Sequence, residues 1–330
     1  MMHNFDDIVE EGFNGVVSIS KDGQSLFKKA YGYADMQNRR ANKINTSFGT
    51  ASAGKTFVAA AVLKLICDGK LSFDDNIGDL LDFELNLISP HITIRQLLTH
   101  TSGIPDYFDE TVMDEYAGLW VDFPNYKIRK SSDLTPLYIN KPMMYTPGER
   151  FKYNNTGYVV LGLVIEKITG MDFDKYLEEV IFKPCGMKGT GYYELDCLPK
   201  NCANAYIYDE KLKRHYTNIY SIDAKGTGAG GAFTTVDDVE RFWNNLLGGK
   251  ILKKDIVQQM TIPQVDTGEY GYGFWIDESG GVIIPYFEGC DPGVSFKSSH
   301  THDIFVCVIS NFGDDVWTIH NNLRKKALNS

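Results

Sequence analysis

The chain of 330 residues is long enough for one large domain or two of ordinary size, and its 43% hydrophobic and 23% charged content excludes a disordered or membrane-embedded protein. A formal net charge of −10 and a pI near 5.2 repel a polyanion, and no basic stripe reverses that field locally, so nucleic acid is excluded as a partner. The cysteines at 67, 185, 197, 202, 290 and 307 form no C-x-x-C pair; they read as buried or idle thiols, and no metal or cofactor is called for.

The N-terminal stretch Asn4 to Glu11 is acidic and amphipathic, unlike a secretory signal, and predicts a short helix in a cytoplasmic protein. Gly15 to Ser20 and Ser25 to Tyr31 flank Lys21-Asp22-Gly23-Gln24, the pattern of a hairpin turned at Asp-Gly. Helical spacing follows over Phe57 to Cys67, whose apolar run stops at Lys64, far short of a membrane span. Further helices are predicted over Tyr158 to Ile168, closed by Gly170, and Phe173 to Phe182, closed by Pro184. Tyr272 to Ile276, Val282 to Tyr286, Val294 to Ser299 and Ile304 to Ser310 read as strands, and Val316, Ile319, Leu323 and Ala327 as a last helix. A lone hairpin is marginal in water, so one sheet is expected from both ends of the chain, around a mostly helical insertion.

Ser52-Ala53-Gly54-Lys55 stands directly before the first helical run, which puts Ser52 at a helix N-terminus with Lys55 one turn on, on the same face. A serine there gains from the helix dipole, its own N–H can face a developing oxyanion, and a desolvated lysine can act as its base. By itself S-x-x-K is more simply an N-cap serine and a solvated lysine. The same residues, Gly49 to Thr56, also spell the phosphate-cradling pattern G-x-x-x-x-G-K-T. That loop should follow a buried parallel strand, and Lys43 to Phe48 is too polar for one. Tyr153-Asn154-Asn155 places Tyr153 and Asn155 two apart: Tyr153 could shuttle a proton to and from Ser52, and the Asn155 amide could bond a substrate carbonyl.

With these motifs in view, the chain from about Gly15 to Ser310 resembles the penicillin-binding-protein and class C β-lactamase superfamily of serine hydrolases, which includes esterases and D-amino-acid peptidases. Phe48 to Phe57 is similar to its nucleophile segment and Tyr153-Asn154-Asn155 to its Tyr-x-Asn motif. Leu97 to Ile104, Gly230 to Asp238 and Asp291 to Ser295 resemble its other recurring segments. The resemblance implies an α/β (α+β) fold: a β-lactamase/transpeptidase-like antiparallel sheet flanked by N- and C-terminal helices. Residues 1–58 and 233–330 would form the sheet region and 59–232 the mostly helical region, with the active site between them. It implies an acyl-enzyme formed by Ser52 with Lys55 and Tyr153, and a small-molecule or short-peptide substrate; it says nothing of oligomeric state.

One departure stands out. Where the family carries Lys-Thr-Gly or His-x-Gly, this chain reads Phe287-Glu288-Gly289, so the cation that would hold a substrate carboxylate is missing. Backbone geometry can persist, so Gly289 and the amide of Cys290 are expected to border the substrate, with Cys290 giving the second oxyanion donor. An ester, amide or small peptide is then favoured over efficient β-lactam hydrolysis. Glu288 reads as a partner for a cationic group or, more simply, as an exposed edge carboxylate. Two other readings stay open: nucleotide binding at Gly49 to Thr56, and a binding protein of the same fold without turnover, hinted at by Phe287. His100 with Ser102 reads as a helix end, His300 to Asp303 as a polar turn, and Gly226 to Gly231 as lacking the strand a dinucleotide loop needs. Thr235 with Asp238 reads as a helix start.

Overall fold

A computed structural model describes residues 5–113, 115–279 and 281–329. Six strands form one antiparallel sheet: β1 (Gly15–Lys21), β2 (Gln24–Tyr31), β3 (Trp275–Ser279), β4 (Val282–Asp291), β5 (Val294–Thr301) and β6 (Ile304–Ser310), in the order β2-β1-β6-β5-β4-β3. The two ends of the chain meet where β1 pairs with β6, with Gly15 opposite Ser310 and Val17 opposite Val308. Asp22 and Gly23 both have positive φ, 51° and 72°, the backbone of the tight turn predicted there.

Alternation along the central strands feeds two cores. Val17, Ile19, Ile304, Val306 and Val308 face Phe5, Phe13 and the C-terminal helix Val316–Leu328, whose Val316, Ile319, Leu323 and Ala327 are buried. Val16, Phe305, Cys307 and Ile309 face the other way, into the main core. Both faces are covered, which is why β6 reads as an apolar run from Ile304 to Ile309.

Helix α1 (Gly54–Cys67) is buried on every side from Gly54 to Leu63, as an all-round apolar helix must be. It packs against α2 (Asn155–Thr169), which starts at Asn154, whose side chain accepts the Gly157 N–H at 2.8 Å, and ends at Gly170 with φ 68°. Helix α3 (Val236–Leu247) is capped by the Thr235 side chain, as expected.

Three predicted elements shift. The strand expected over Tyr272 to Ile276 begins only at Trp275, because Gly273 (φ 80°) bends the chain so close to α1 that a Cβ there would lie 2.4 Å from the Ala59 Cβ. β4 runs past Tyr286 to Asp291, since Phe287 to Asp291 still ladder with β5 and the chain turns only at Pro292-Gly293. The α-helix from Phe173 ends at Leu177 and continues as a π-helical turn to Phe182. Between Thr99 and Asn154 the described residues hold only short 3-10 turns, and this stretch carries much of the site.

Candidate active site

Ser52 lies in the 3-10 turn Ala51–Ala53 that leads into α1. Ala51 has φ +48°, an uncommon backbone for alanine, and the glycine-rich loop 226–231 holds it there: Gly231 donates its N–H to the Ala51 carbonyl at 2.9 Å. A Cβ on Gly230 would stand 2.4 Å from that carbonyl oxygen, so only glycine lets the loop approach. The G-x-G-x-x-G run is thus part of the site, as a support beneath the serine.

Lys55 is 2% exposed, and its Nζ reaches three oxygens: Ser52 Oγ at 2.9 Å, Asn155 Oδ1 at 2.8 Å and the Ala229 carbonyl at 2.5 Å. Burial lowers its pKa to about 8, while Glu110, Asp291, Asp106 and Asp223 pull the other way. This arrangement suits both charge states. The ammonium uses all three oxygens; the neutral amine keeps two N–H bonds to the acceptor-only Asn155 and Ala229 oxygens, leaving its lone pair toward the Ser52 hydroxyl.

Tyr153 shares a hydrogen bond with Ser52, and burial raises its phenol well above the usual value, so it remains protonated. Its ring stacks on Trp275 (5.6 Å, 17°) and lies 4.5 Å from the His100 ring. The His100 Nδ1 accepts the Asn154 N–H at 3.1 Å and the His100 carbonyl accepts the Lys152 N–H at 3.0 Å, so the residues on either side of Tyr153 are both tied to His100. Burial, with the nearby Lys55, pushes His100 well below its ordinary pKa, so it is neutral and structural.

Asn155 sits at the first turn of α2 with its carboxamide already engaged. Its Oδ1 takes Lys55, and its Nδ2 donates to the Phe108 carbonyl at 3.1 Å and more weakly to Glu110 at 3.4 Å. Asp106 accepts the N–H groups of Asn155 (2.8 Å) and Thr156 (3.0 Å), and burial raises its pKa to about 6. Asp106 and Ala229 were not legible as site residues, because one acts as a helix cap and the other through its backbone.

β3 covers β4 only as far as Tyr286, so the edge from Phe287 onward is free of a neighbouring strand and borders the cavity. A Cβ on Gly289 would lie 2.3 Å from the Thr50 carbonyl oxygen and 2.7 Å from the Ser52 N, which fixes a glycine where this edge presses on the nucleophile turn. Cys290 is exposed and lines the same cavity. Phe287 does not reach toward substrate: it is 1% exposed and packs among Phe57, Phe242, Trp243, Phe274 and Phe296. Glu288 is no free exposed carboxylate. It ion-pairs at 3.1 Å with Lys297, its cross-strand partner, and accepts the Trp317 indole N–H at 2.9 Å.

The phosphate-loop reading of Gly49 to Thr56 does not fit. The strand before the loop is two residues, Phe48–Gly49, paired antiparallel with Phe233–Thr234, and the lysine is buried against Ser52 instead of facing an open cradle. Of the predicted turn His300 to Asp303, only His302 and Asp303, both at positive φ, turn between β5 and β6; His300 and Thr301 still pair with Phe305 and Ile304.

Ser52 opens onto a cavity of about 1080 Å³, whose walls include Tyr107, Tyr116, Trp275, Asp223 and Asp291. A serine and a buried lysine at the head of a central helix, beside the edge of an antiparallel sheet, define the β-lactamase and penicillin-binding-protein fold. The sequence profile described as Beta-lactamase matches residues 3–307, and the chain belongs to that family. A penicillin-binding protein of Bacillus subtilis (strain 168) is 29% identical over 285 residues, 81% of this chain and 60% of that protein. The putative penicillin-binding protein PbpX of the same strain is 28% identical, over 81% and 63%. The chain therefore spans about three-fifths of the length of these curated relatives. The crystal structure of a penicillin binding protein from Bacillus halodurans matches with a TM-score of 0.92 and 36% identity, covering 99% of this chain and 100% of that one. The octameric penicillin-binding protein homologue from Pyrococcus abyssi matches at 0.82 and 27%, over 96% and 74%. The D-amino acid amidase from Ochrobactrum anthropi SV3, at 23% identity and TM-score 0.77 over 98% and 94%, shares the fold. Among the described residues no helix is long and apolar enough to cross a membrane.

Proposed function

We propose that the protein is a serine hydrolase that cleaves an ester, amide or small peptide-like substrate through an acyl-enzyme on Ser52. The observation that carries this reading is the Lys55 Nζ, buried and shared between Ser52 Oγ and two fixed acceptors. Ser52 Oγ attacks the carbonyl and passes its proton to the lone pair of neutral Lys55. The tetrahedral oxyanion rests on the N–H groups of Ser52 and Cys290, and the weaker Nδ2 contact of Asn155 turns to the substrate carbonyl side. Tyr153, kept protonated, donates to the leaving group and takes its proton back from the Lys55 ammonium. Water then attacks the ester, its proton returns by the same pair, and the acid departs.

Gly289 serves by letting the β4 edge approach Ser52, and D-amino-acid derivatives are among the substrate classes to try. The aromatic core position of Phe287 offers no cation for a substrate carboxylate, which argues against efficient β-lactam turnover. Ester turnover by the wild-type protein should fall at least about 10³-fold in Ser52→Ala. Turnover unchanged in that variant would remove the proposal and leave a binding protein of the same fold.

A further inference from the structure

Tyr153 carries a proton in the proposed chemistry, yet among the described residues its hydroxyl is held by one hydrogen bond, the one it shares with Ser52. What fixes the phenol otherwise is packing. Four rings close a circuit beside the site: Tyr153 lies 4.5 Å from His100, His100 4.6 Å from Tyr270, Tyr270 5.0 Å from Trp275, and Trp275 5.6 Å from Tyr153, centroid to centroid. The His100 contacts are tilted at 39° and 66°, and Tyr270 meets Trp275 edge-on at 89°. Only Trp275 and Tyr153 lie nearly parallel, at 17°, the arrangement that resists a tilt of the phenol plane.

Local structure places Trp275 there. It is the first residue of β3, and strand alternation sends its neighbour Phe274 the other way, into the core, where it stacks on Trp243 at 4.8 Å. The backbone is tied on both sides: Trp275 pairs with Tyr286 of β4, and the Ile276 N–H donates to the Glu269 carbonyl at 2.8 Å. Trp275 is half-buried and borders the Ser52 cavity. It also borders a second cavity of about 10 Å³, no larger than one water, whose walls include Ser52, Lys55, Tyr153 and Tyr270. The indole thus stands beside all three reacting side chains and, being neutral, leaves the Tyr153 proton in place.

We propose that Trp275 is a positioning residue for proton transfer by Tyr153: stacked on the phenol, it holds the hydroxyl between Ser52 and the leaving group, so that the site expels alkoxide and amine groups that must be protonated as they depart. The inference rests on the serine-hydrolase reading. In this step the bond from the carbonyl carbon to the leaving oxygen or nitrogen breaks and the Tyr153 O–H proton passes to the departing atom. The phenolate then takes back from Lys55 the proton that came from Ser52. A hydroxyl displaced by about 1 Å loses on the order of 10²-fold in rate for such groups. A p-nitrophenoxide departs as a stable anion without a proton, so the same displacement costs it little.

The test compares kcat/KM for the benzyl and p-nitrophenyl esters of butyric acid in wild type, Trp275→Leu and Trp275→Phe. Leucine keeps apolar bulk and phenylalanine keeps the flat ring. Trp275→Leu should lower the benzyl ester rate at least about tenfold more than the nitrophenyl ester rate, and Trp275→Phe should bring the ratio back to within about threefold of wild type. A role in packing or acyl binding alone lowers both esters alike, since they share the acyl group. Equal losses, no loss, or a ring that does not rescue overturns the proposal. Trp275→Met replaces Trp275→Leu if that variant folds poorly. If wild type turns over neither ester, the same ratio is read from the rate of Ser52 phosphonylation by alkyl phosphonates carrying phenoxide or fluoride. Wild-type Ser52 that takes no adduct from the fluoride compound marks failure of the hydrolase reading, whereas a labelled serine whose ratio ignores Trp275 marks failure of this proposal alone.

Discussion

The pH dependence of Ser52 reactivity follows from where Lys55 lies. With its pKa brought to about 8, the neutral fraction rises from about 9% at pH 7 to about 91% at pH 9, an increase of about tenfold that levels off above pH 9. A solvated lysine near 10.4 would give a rise of about a hundredfold over the same interval, with no plateau before pH 10. The two cases separate in the second-order rate of labelling by a neutral fluorophosphonate, measured from pH 6 to 10 on folded protein. The groups facing Lys55 are Glu110, Asp291, Asp106 and Asp223, and each raises its pKa. Asp291→Asn should therefore move the limb to lower pH, because one stabilising negative charge is gone. Stability carries the same signature. The lysine pKa is lowered on folding, so the unfolded chain binds the extra proton between about pH 8 and 10.5, and stability rises with pH across that window. A labelling rate flat from pH 6 to 10, or one that climbs a hundredfold without levelling, would refute the assignment of Lys55 as the buried base.

Lys55→Met should keep the helix and lower ester turnover by about 10²–10⁴-fold, read as kcat against wild type. Gly289→Ala should lower kcat by about 10²-fold with a smaller change in KM, because its Cβ would collide with Thr50 O and Ser52 N and displace the oxyanion site. Asp291→Asn should raise the thermal midpoint at pH 8. Its folded pKa lies above the unfolded value, so charging it destabilises the fold as pH rises from about 4 to about 7, by on the order of 1–2 kcal/mol after solvent screening. His100→Ala should cost about 1–3 kcal/mol in denaturant unfolding, since it leaves the buried Asn154 N–H without its acceptor.

Much of this architecture is written in local pattern. The Asp22-Gly23 hairpin, the apolar run Ile304 to Ile309 of β6 and the caps at Thr235 and Gly170 are set by residues a few positions apart, so turn chemistry and period suffice to find them. Ser52, Lys55 and Tyr153 were legible because their motifs are short and sit at a helix start. What stayed hidden depends on contacts across the chain. Glu288 reads as a free edge carboxylate until β5 brings Lys297 opposite it, and Phe287 as a lost cation until five aromatic side chains close around it. Gly230 and Gly289 each look like loop or strand punctuation, yet both are needed because another backbone passes within a Cβ's reach. Asp106 and Asp223 belong to no motif, Asp291 is read only as the head of the Asp291 to Ser295 segment, and only the fold gathers the three around Lys55.

The central claim is that Ser52 is an activated nucleophile, and intact-mass spectrometry after exposure to a fluorophosphonate probe, with peptide mapping and a Ser52→Ala control, tests it most directly. The account predicts a single adduct, mapped to Ser52 and absent from the control. Folded protein that takes no adduct, or that carries it on another residue, would contradict it.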